Sequence, residues 1–423
     1  MSEPRETPEQ IPLPAAEAPR GWHRSFVALR HPNYRLWFAG QMFSLVGTWM
    51  QSTALGYLVY ELTHSSAYLG YVAFAAGAPT WLFMLWAGVI ADRVPRRSML
   101  IVTQLAMMLA AGLLAGLIFA GAIRPWHLVA LACVLGTANA FDAPARQAFV
   151  LELVDRDDLG NAIALNALMF NAAVVVGPAV GGGVYAALGP GWCFTANAVS
   201  FLGVLGALAA MRLPTPAPPS QRAPALVDLR RGIVYVGRHR SIRVIIALLA
   251  VLTLFGFSYV SLLPAFAVKI LHGDARVNGL LQSARGVGAL GAALYIVSRG
   301  RDCRSGRLLT VGVLVMPVAL LAFSATHALP FALAALVVVG AGLILFFNTA
   351  NALVQKLADD ALRGRVMSIY TLTFFGLMPL GSLAMGTFAE SLGEPLTVGL
   401  GATVLLVSAT AIQLAFPALR KLE

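Results

Sequence analysis

From about residue 36 onward, long apolar runs alternate with short breaks that are polar and mostly basic. Many runs reach the roughly 20 residues a helix needs to cross about 30 Å of hydrocarbon. Within lipid, backbone groups must be satisfied internally, which a helix does along its own length. Twelve spans are predicted, at about 36–60, 68–91, 98–121, 126–148, 161–188, 192–211, 243–268, 277–298, 307–326, 329–354, 365–390 and 396–417. The first differs from the rest because Gln41, Ser44, Thr48 and Gln51 fall at offsets of 3, 7 and 10 residues, one polar stripe on an apolar helix. An even number of spans returns both termini to the same side.

Two segments fall outside this pattern. Residues 1–22, rich in Pro and Glu, lack the basic start and apolar centre of a signal peptide and read as a disordered cytoplasmic tail. The stretch Leu213–Pro224 carries too many prolines for helix or strand and reads as a linker. After it Leu226, Leu229, Ile233 and Val236 recur at helical spacing among Arg230, Arg231 and Arg238, the pattern of a basic amphipathic helix on a membrane surface. The expected organisation is a tail (1–22), a six-helix bundle (23–212), a cytoplasmic linker with an amphipathic helix (213–240) and a second six-helix bundle (241–423).

Composition agrees. Of 423 residues 58% are hydrophobic and 12% charged, with mean hydropathy +0.76, whereas soluble domains carry about 25% charged residues. The net charge of +11 does not point to nucleic acid, because the basic residues are scattered among short loops. With the termini inside, 26 of the 30 Lys and Arg fall on cytoplasmic segments. Arg124, Lys269 and Arg276 remain outside and Arg285 lies within a span. This positive-inside bias predicts a multi-pass cell (inner) membrane protein with both termini cytoplasmic.

The halves also resemble each other. Leu153–Gly189 aligns without a gap on Leu357–Gly393, matching Asp155 with Asp359, Gly177 with Gly381, Gly182 with Gly386 and Gly189 with Gly393. A parallel repeat places a binding site near the midplane between two halves.

Between the second and third spans stands Gly88-Val-Ile-Ala-Asp92-Arg93-Val-Pro95-Arg96-Arg97. It resembles the G-x-L-A-D-R-x-G-R-K signature of the major facilitator superfamily, with Pro95 in place of a glycine. The resemblance implies an all-α membrane protein, twelve transmembrane helices in two pseudo-symmetric six-helix bundles, and an inner gate at Gly88, Asp92, Arg93, Arg96 and Arg97. Asp92 can pair with a helix end or an arginine of the opposite half, and the arginines with carboxylates or anionic headgroups. In the fifth span Gly177-Pro178-Ala-Val-Gly181-Gly182 resembles the core of the superfamily's antiporter signature. Pro178 removes a helix hydrogen bond, and Gly177, Gly181 and Gly182 admit a close neighbour. Together with Asn139–Val150 and Arg363–Ser368, this segment resembles the branch containing enterobactin exporters and macrolide efflux proteins. In the fourth span Asp142 and Arg146 stand four apart and can pair on one helix face, as an ion pair or gate.

The stripe of Gln41, Ser44, Thr48 and Gln51, with Asn166, Asn171, Gln282, Asn348 and Asn351, supplies candidates for a polar substrate cavity. The same groups can join helices to one another. Arg285, about nine residues into its span, must face protein or water. It can bind an anionic substrate, pair with Glu61 or Glu390, or extend toward the surface. Cys133, Cys193 and Cys303 lack metal-ligand or disulfide spacing and read as packing residues. No His pair or phosphate-cradling loop marks an enzyme, a metal site or an ATP-coupled pump.

The sequence therefore predicts a monomeric secondary transporter without cofactor, drawing on the transmembrane proton gradient. Its expected action is efflux of small amphipathic molecules, such as drugs or siderophore-like metabolites, by alternating access. A facilitator or importer of sugars or metabolites is the alternative, with an intramembrane enzyme as the rival from another class. Expected partners are the small-molecule substrate and the bilayer with its anionic headgroups, and no nucleic acid.

Overall fold

A computed structural model describes residues 26–212, 225–299 and 305–421, with residues 84, 85, 87–89, 91–93, 225–231 and 421 described for backbone only. The expected tail, the proline-rich stretch before Ala225 and Cys303 lie outside the described residues. Those residues form thirteen helices joined by short turns and single-turn helices. In chain order they are α1 (Pro32–Thr63), α2 (Ser66–Arg93), α3 (Arg96–Phe119), α4 (Pro125–Val150), α5 (Leu159–Leu188), α6 (Pro190–Ala210), α7 (Ala225–Arg238), α8 (Arg240–Ile270), α9 (Ala275–Arg299), α10 (Ser305–Ala325), α11 (Leu329–Leu357), α12 (Arg363–Leu392) and α13 (Glu394–Ala415).

Ten of these, α3–α6 and α8–α13, are long and apolar enough to cross a membrane. The 32 residues of α1 extend about 48 Å at 1.5 Å per residue. Its polar stripe dilutes its apolar character, but Gln41, Ser44, Gln51 and Thr53 are turned into protein. The outer surface is apolar instead. Val297, Phe331 and Leu414 are at least 70% exposed, positions suited to lipid and costly in water.

Helix boundaries follow local chemistry. Proline opens α1, α4, α6, α11 and α13 at the first or second position, where its missing N–H would have had no partner. At the other end, α5 and α12 both stop at a glycine with positive φ, 91° at Gly189 and 85° at Gly393, a conformation in which a Cβ is strained. The two helices are each 30 residues long and begin and end 204 positions apart, the offset of the sequence repeat.

The packing repeats as well. In the first half α1 packs on α5 and α6, α2 on α4, and α3 on α4 and α6. In the second, α8 packs on α12 and α13, α9 on α11, and α10 on α11 and α13. Shifting each first-half pair by six spans gives its second-half counterpart. Two strong contacts join the halves, α2 with α12 and α5 with α9, and the repeat exchanges one for the other. The buried residues of one large apolar cluster all come from Val236 onward, while two others come almost wholly from the first half.

The amphipathic segment is helical, as α7, and packs on α12. Val236 is buried there, Tyr235 accepts a hydrogen bond from the Asp359 N–H, and Ile233 and Val234 stay exposed. The seventh span departs from its expected regular form. Within α8, a π stretch (Leu252–Phe257), a 3₁₀ stretch (Ser258–Leu262) and a second π stretch (Phe266–Ile270) interrupt the α-helix. Thr253 Oγ1 donates to the Leu249 carbonyl and Ser258 Oγ to the Thr253 carbonyl, so hydroxyls occupy acceptors in the distorted region.

Candidate functional site: a seam between the halves

Hydrogen bonds link the halves from the middle of the molecule to the end opposite the chain termini, here the distal end. Glu390, near the close of α12, accepts from Ser65 Oγ at 2.9 Å and from the Ala67 N–H at 3.1 Å. Ser65 is the N-cap of α2 and its oxygen also accepts from the Tyr68 N–H. A carboxylate from the second half thus caps a helix of the first, where the helix dipole favours negative charge. Beside it Glu394, 2% exposed, accepts from Ser66 Oγ at 2.6 Å and from Lys269 Nζ at 2.8 Å. Lys269 also lies over the Tyr60 ring, 5.6 Å from its centroid.

Beneath these contacts the helix backbones meet. A Cβ built on Gly386 would lie 2.7 Å from the Gly70 Cα, and one on Gly182 would lie 2.5 Å from the Ala275 carbonyl oxygen. Gly182 and Gly386 are equivalent in the repeat, and each holds one of the two contacts between halves. Deeper still, Thr53 Oγ1 donates to Gln282 Oε1 at 3.3 Å, Asn278 Nδ2 to the Thr53 carbonyl at 3.3 Å, and Ser283 Oγ to the Val175 carbonyl at 2.7 Å.

The antiporter-like segment lies along this seam. Gly177 and Gly181 pack against Val46, Trp49 and Met50 of α1, Gly182 meets α9, and Pro178 presents its carbonyl to Gly279. The cavity candidates do not form one group. Gln51 Oε1 accepts from Asn197 Nδ2 at 2.6 Å and fastens α1 to α6. Thr48, which is exposed, donates to the Ser44 carbonyl. Asn171 donates to the Ala167 carbonyl, and Asn351 accepts from Gln355 near the end where the termini lie. Asn348 is exposed. Gln41 Nε2 and Asn166 Oδ1 are buried without a hydrogen-bond partner. A separate groove of about 770 Å³ between α2, α3 and α4 is almost wholly apolar, and the exposed Cys133 lies in its wall. Cys193 is fully buried.

Near the terminal end, Asp142 is buried and accepts from Thr103 Oγ1 and Gln104 Nε2, both at 2.9 Å, while Arg146 Nε stands 3.4 Å from its other oxygen. This network ties α4 to α3. Of the loop motif, the side chains of Asp92 and Arg93, and the surroundings of Gly88, lie outside the described residues. Arg96 pairs with Glu152 at 2.5 Å, and Arg97 donates to the Ala209 carbonyl at 3.1 Å. Both contacts stay within the first half.

Arg285 is 7% exposed, and its Nε is buried without a hydrogen-bond partner. Neither acid expected as its partner takes that role. Glu390 caps α2, and Glu61 accepts from the Tyr185 hydroxyl. Instead the guanidinium carbon lies 5.9 Å from the Phe257 ring centroid.

Among the described residues, thirteen helices, ten of them long and apolar enough to cross a membrane, with a seam of crossing helices tied by polar groups, have the architecture of a multi-pass membrane protein. Solved transporters share the fold. A bacterial homologue of the human lysosomal transporter Spinster, in an inward-facing and occupied conformation, superposes with a TM-score of 0.72 at 13% identity, over 92% of this chain and 97% of that one. The nucleoside transporter NupG gives a TM-score of 0.71 at 13% identity, over 91% and 99%. Residues 23–423 match the transmembrane secretion effector family, and the chain belongs to that family of the major facilitator superfamily. Family membership makes it a transporter, not an enzyme.

Similar proteins include the staphyloferrin A transporter of Staphylococcus aureus, 26% identical over 85% of this chain and 90% of its own length. The enterobactin exporter EntS of Citrobacter koseri is 26% identical over 90% and 88%. Macrolide efflux protein A of Streptococcus pyogenes is 22% identical over 85% and 90%.

Proposed function

We propose that this chain is a secondary active exporter of small amphipathic molecules, driven by protons that enter as cargo leaves. In this reading twelve spans, α1–α6 and α8–α13, form two six-helix halves in the inner membrane of a bacterium. The termini are cytoplasmic, the distal end faces outward, and the protein works as a monomer. The observation that carries the reading is the distal seam: among the described residues, hydrogen bonds between the halves run from the middle of the molecule to one end. Such a seam fits a transporter closed to the outside, with cargo entering between the halves from the cytoplasm or the inner leaflet. Opening requires the Glu390 cap, the Glu394 contacts and the Gly70–Gly386 crossing to separate together. Each is a discrete contact that can be made or lost, as a two-state gate requires. The siderophore and macrolide transporters among the relatives support efflux and set the chemistry to test first.

The test uses purified protein in liposomes, a panel of fluorescent drugs and siderophore-like compounds, and an imposed pH gradient. The account expects at least one compound to move opposite to the proton flux, faster with the gradient than without. Flux of every transported compound that is indifferent to the gradient would reject proton coupling. Gradient-driven movement in the same direction as the protons would indicate an importer.

A further inference from the structure

Arg285 lies ten residues after the start of α9 and fourteen before its end, about 15 Å from the distal end at 1.5 Å per residue and so near the middle of a bilayer of about 30 Å. A guanidinium at that depth needs an anion, a dipole or water, yet among the described residues no ion pair or hydrogen bond reaches it. Its neighbour Tyr259, 1% exposed and close enough for the two to interact electrostatically, also has a buried hydroxyl without a hydrogen-bond partner. Buried phenols ordinarily find one. Two donors on adjacent helices are thus left open, nine-tenths buried, in the same part of the second half.

Distorted helix geometry brings them there. Phe257 closes the first π stretch of α8 and Tyr259 sits in the 3₁₀ stretch that follows, where side chains leave the register of a regular helix. Phe257 packs edge-on against Phe374 of α12 at 5.4 Å, and Phe374 against Phe347 of α11 at 4.7 Å. All three rings are partly exposed. An aromatic wall with partly exposed faces therefore adjoins the cation through Phe257, while the Tyr259 ring packs on Phe323 of α10 and its hydroxyl is an open donor in the electrostatic range of Arg285.

We infer that Arg285, Tyr259 and the Phe257–Phe374–Phe347 wall form a binding site for an organic anion, in which the oxyanion takes the guanidinium and phenol and an aromatic or other apolar body lies on the rings. The inference rests on the transporter reading and names part of its cargo class: amphipathic molecules carrying a carboxylate or a comparable oxyanion. Arginine suits the task because its planar fork binds a carboxylate through two parallel hydrogen bonds.

The probe is 1-naphthoate, with the neutral 1-naphthamide as control, titrated by calorimetry into the purified full-length protein in nanodiscs. Naphthoate should bind the parental protein. Its affinity should fall about 10-fold or more in Arg285→Ala, less in Arg285→Lys, and a few-fold in Tyr259→Phe, while naphthamide changes little in any variant. Equal naphthoate affinity in parental protein and folded Arg285→Ala overturns the inference, as does a parental protein that binds naphthamide but not naphthoate. Should Arg285→Ala fail to fold, unchanged affinity in both Arg285→Lys and Tyr259→Phe overturns it. Flux of labelled naphthoate across liposomes separates the two claims. Binding without movement refutes the claim that such anions are cargo and leaves the site standing, whereas movement of neutral compounds alone refutes the site and leaves the exporter reading.

Discussion

A methyl group at Gly386 tests whether the distal seam is a gate. A Cβ there would sit 2.7 Å from both the Gly70 Cα and the Ser66 carbonyl oxygen. Ordinary contact is 3.4–4 Å, so α2 and α12 must separate by several tenths of an ångström to more than 1 Å. Both near atoms belong to backbone and cannot rotate away. Overpacking of this kind costs about 1–3 kcal/mol, and the cost falls only on the conformation in which the helices touch. Gly386→Ala should therefore shift the closed-to-open ratio at the distal end by roughly 5- to 150-fold. Gly182→Ala, with its Cβ 2.5 Å from the Ala275 carbonyl oxygen, should do the same at the equivalent crossing. The assay is the labelling rate of a cysteine at Thr53, which is 1% exposed on the closed seam, by a membrane-impermeant maleimide added from the distal side. Cys133, Cys193 and Cys303 are replaced by serine in both parent and variant. Labelling should accelerate by a comparable factor. A rate equal to the parent's, in protein of equal abundance, would refute the claim that this crossing holds the distal end shut.

Other perturbations give smaller or different readouts. Glu390→Gln keeps a hydrogen-bonding side chain but removes the negative charge from the α2 N-terminus, a loss of about 0.3–1 kcal/mol; Thr53Cys labelling should rise a few-fold, and no rise would mean the cap does not contribute to closure. Asp142→Ala leaves the buried Gln104 Nε2 without its acceptor, while Thr103 Oγ1 keeps the Met99 and Leu100 carbonyls, and should lower stability by about 1–3 kcal/mol, read as a lower melting temperature in detergent; an unchanged melting temperature would show that the α3–α4 network is not structural. The resemblance of the loop motif to the superfamily signature implies an inner-gate role for the Asp92 charge, so Asp92→Asn should slow transport while leaving the equilibrium affinity for cargo nearly unchanged. Parental transport at equal abundance would reject that role.

The repeat was the most legible feature of the chain. Leu159–Leu188 and Arg363–Leu392 begin, end and turn at glycines separated by the offset the sequence displays. Helix-stopping glycines and apolar periodicity are local signals, so they survive in one dimension. The distal seam is not local. Ser65 and Glu390 stand 325 positions apart, and nothing in the sequence around Glu390 tells a lipid-edge acid from a helix cap. What could have raised suspicion is the pair Glu390 and Glu394 flanking one turn, opposite Lys269, one of only three cations expected outside. The α1 stripe was legible as polar but not as divided, since Gln51 is spoken for by Asn197 while Gln41 keeps an open donor. The irregular course of α8 left little trace either: Gly256 in its first π stretch lies against Leu405 and Met316 of helices far along the chain. Arg285 was visible as an anomaly of charge, and only its surroundings distinguish an open site from an ion pair with Glu61 or Glu390.

The central claim is that one path between the halves opens alternately to the two ends. Spin labels at Ala122 and Ala328 report the distal end, and labels at Asp157 and Asp360 the terminal end; all four positions are exposed and lie between spans of opposite halves, Asp157 in a single-turn 3₁₀ helix. Distances from double electron–electron resonance, measured in nanodiscs with and without transported cargo and at two pH values, give both openings in the same protein. The account predicts opposite changes, the distal pair lengthening as the terminal pair shortens. Both pairs lengthening together, or neither responding to cargo or pH while flux continues, would contradict it.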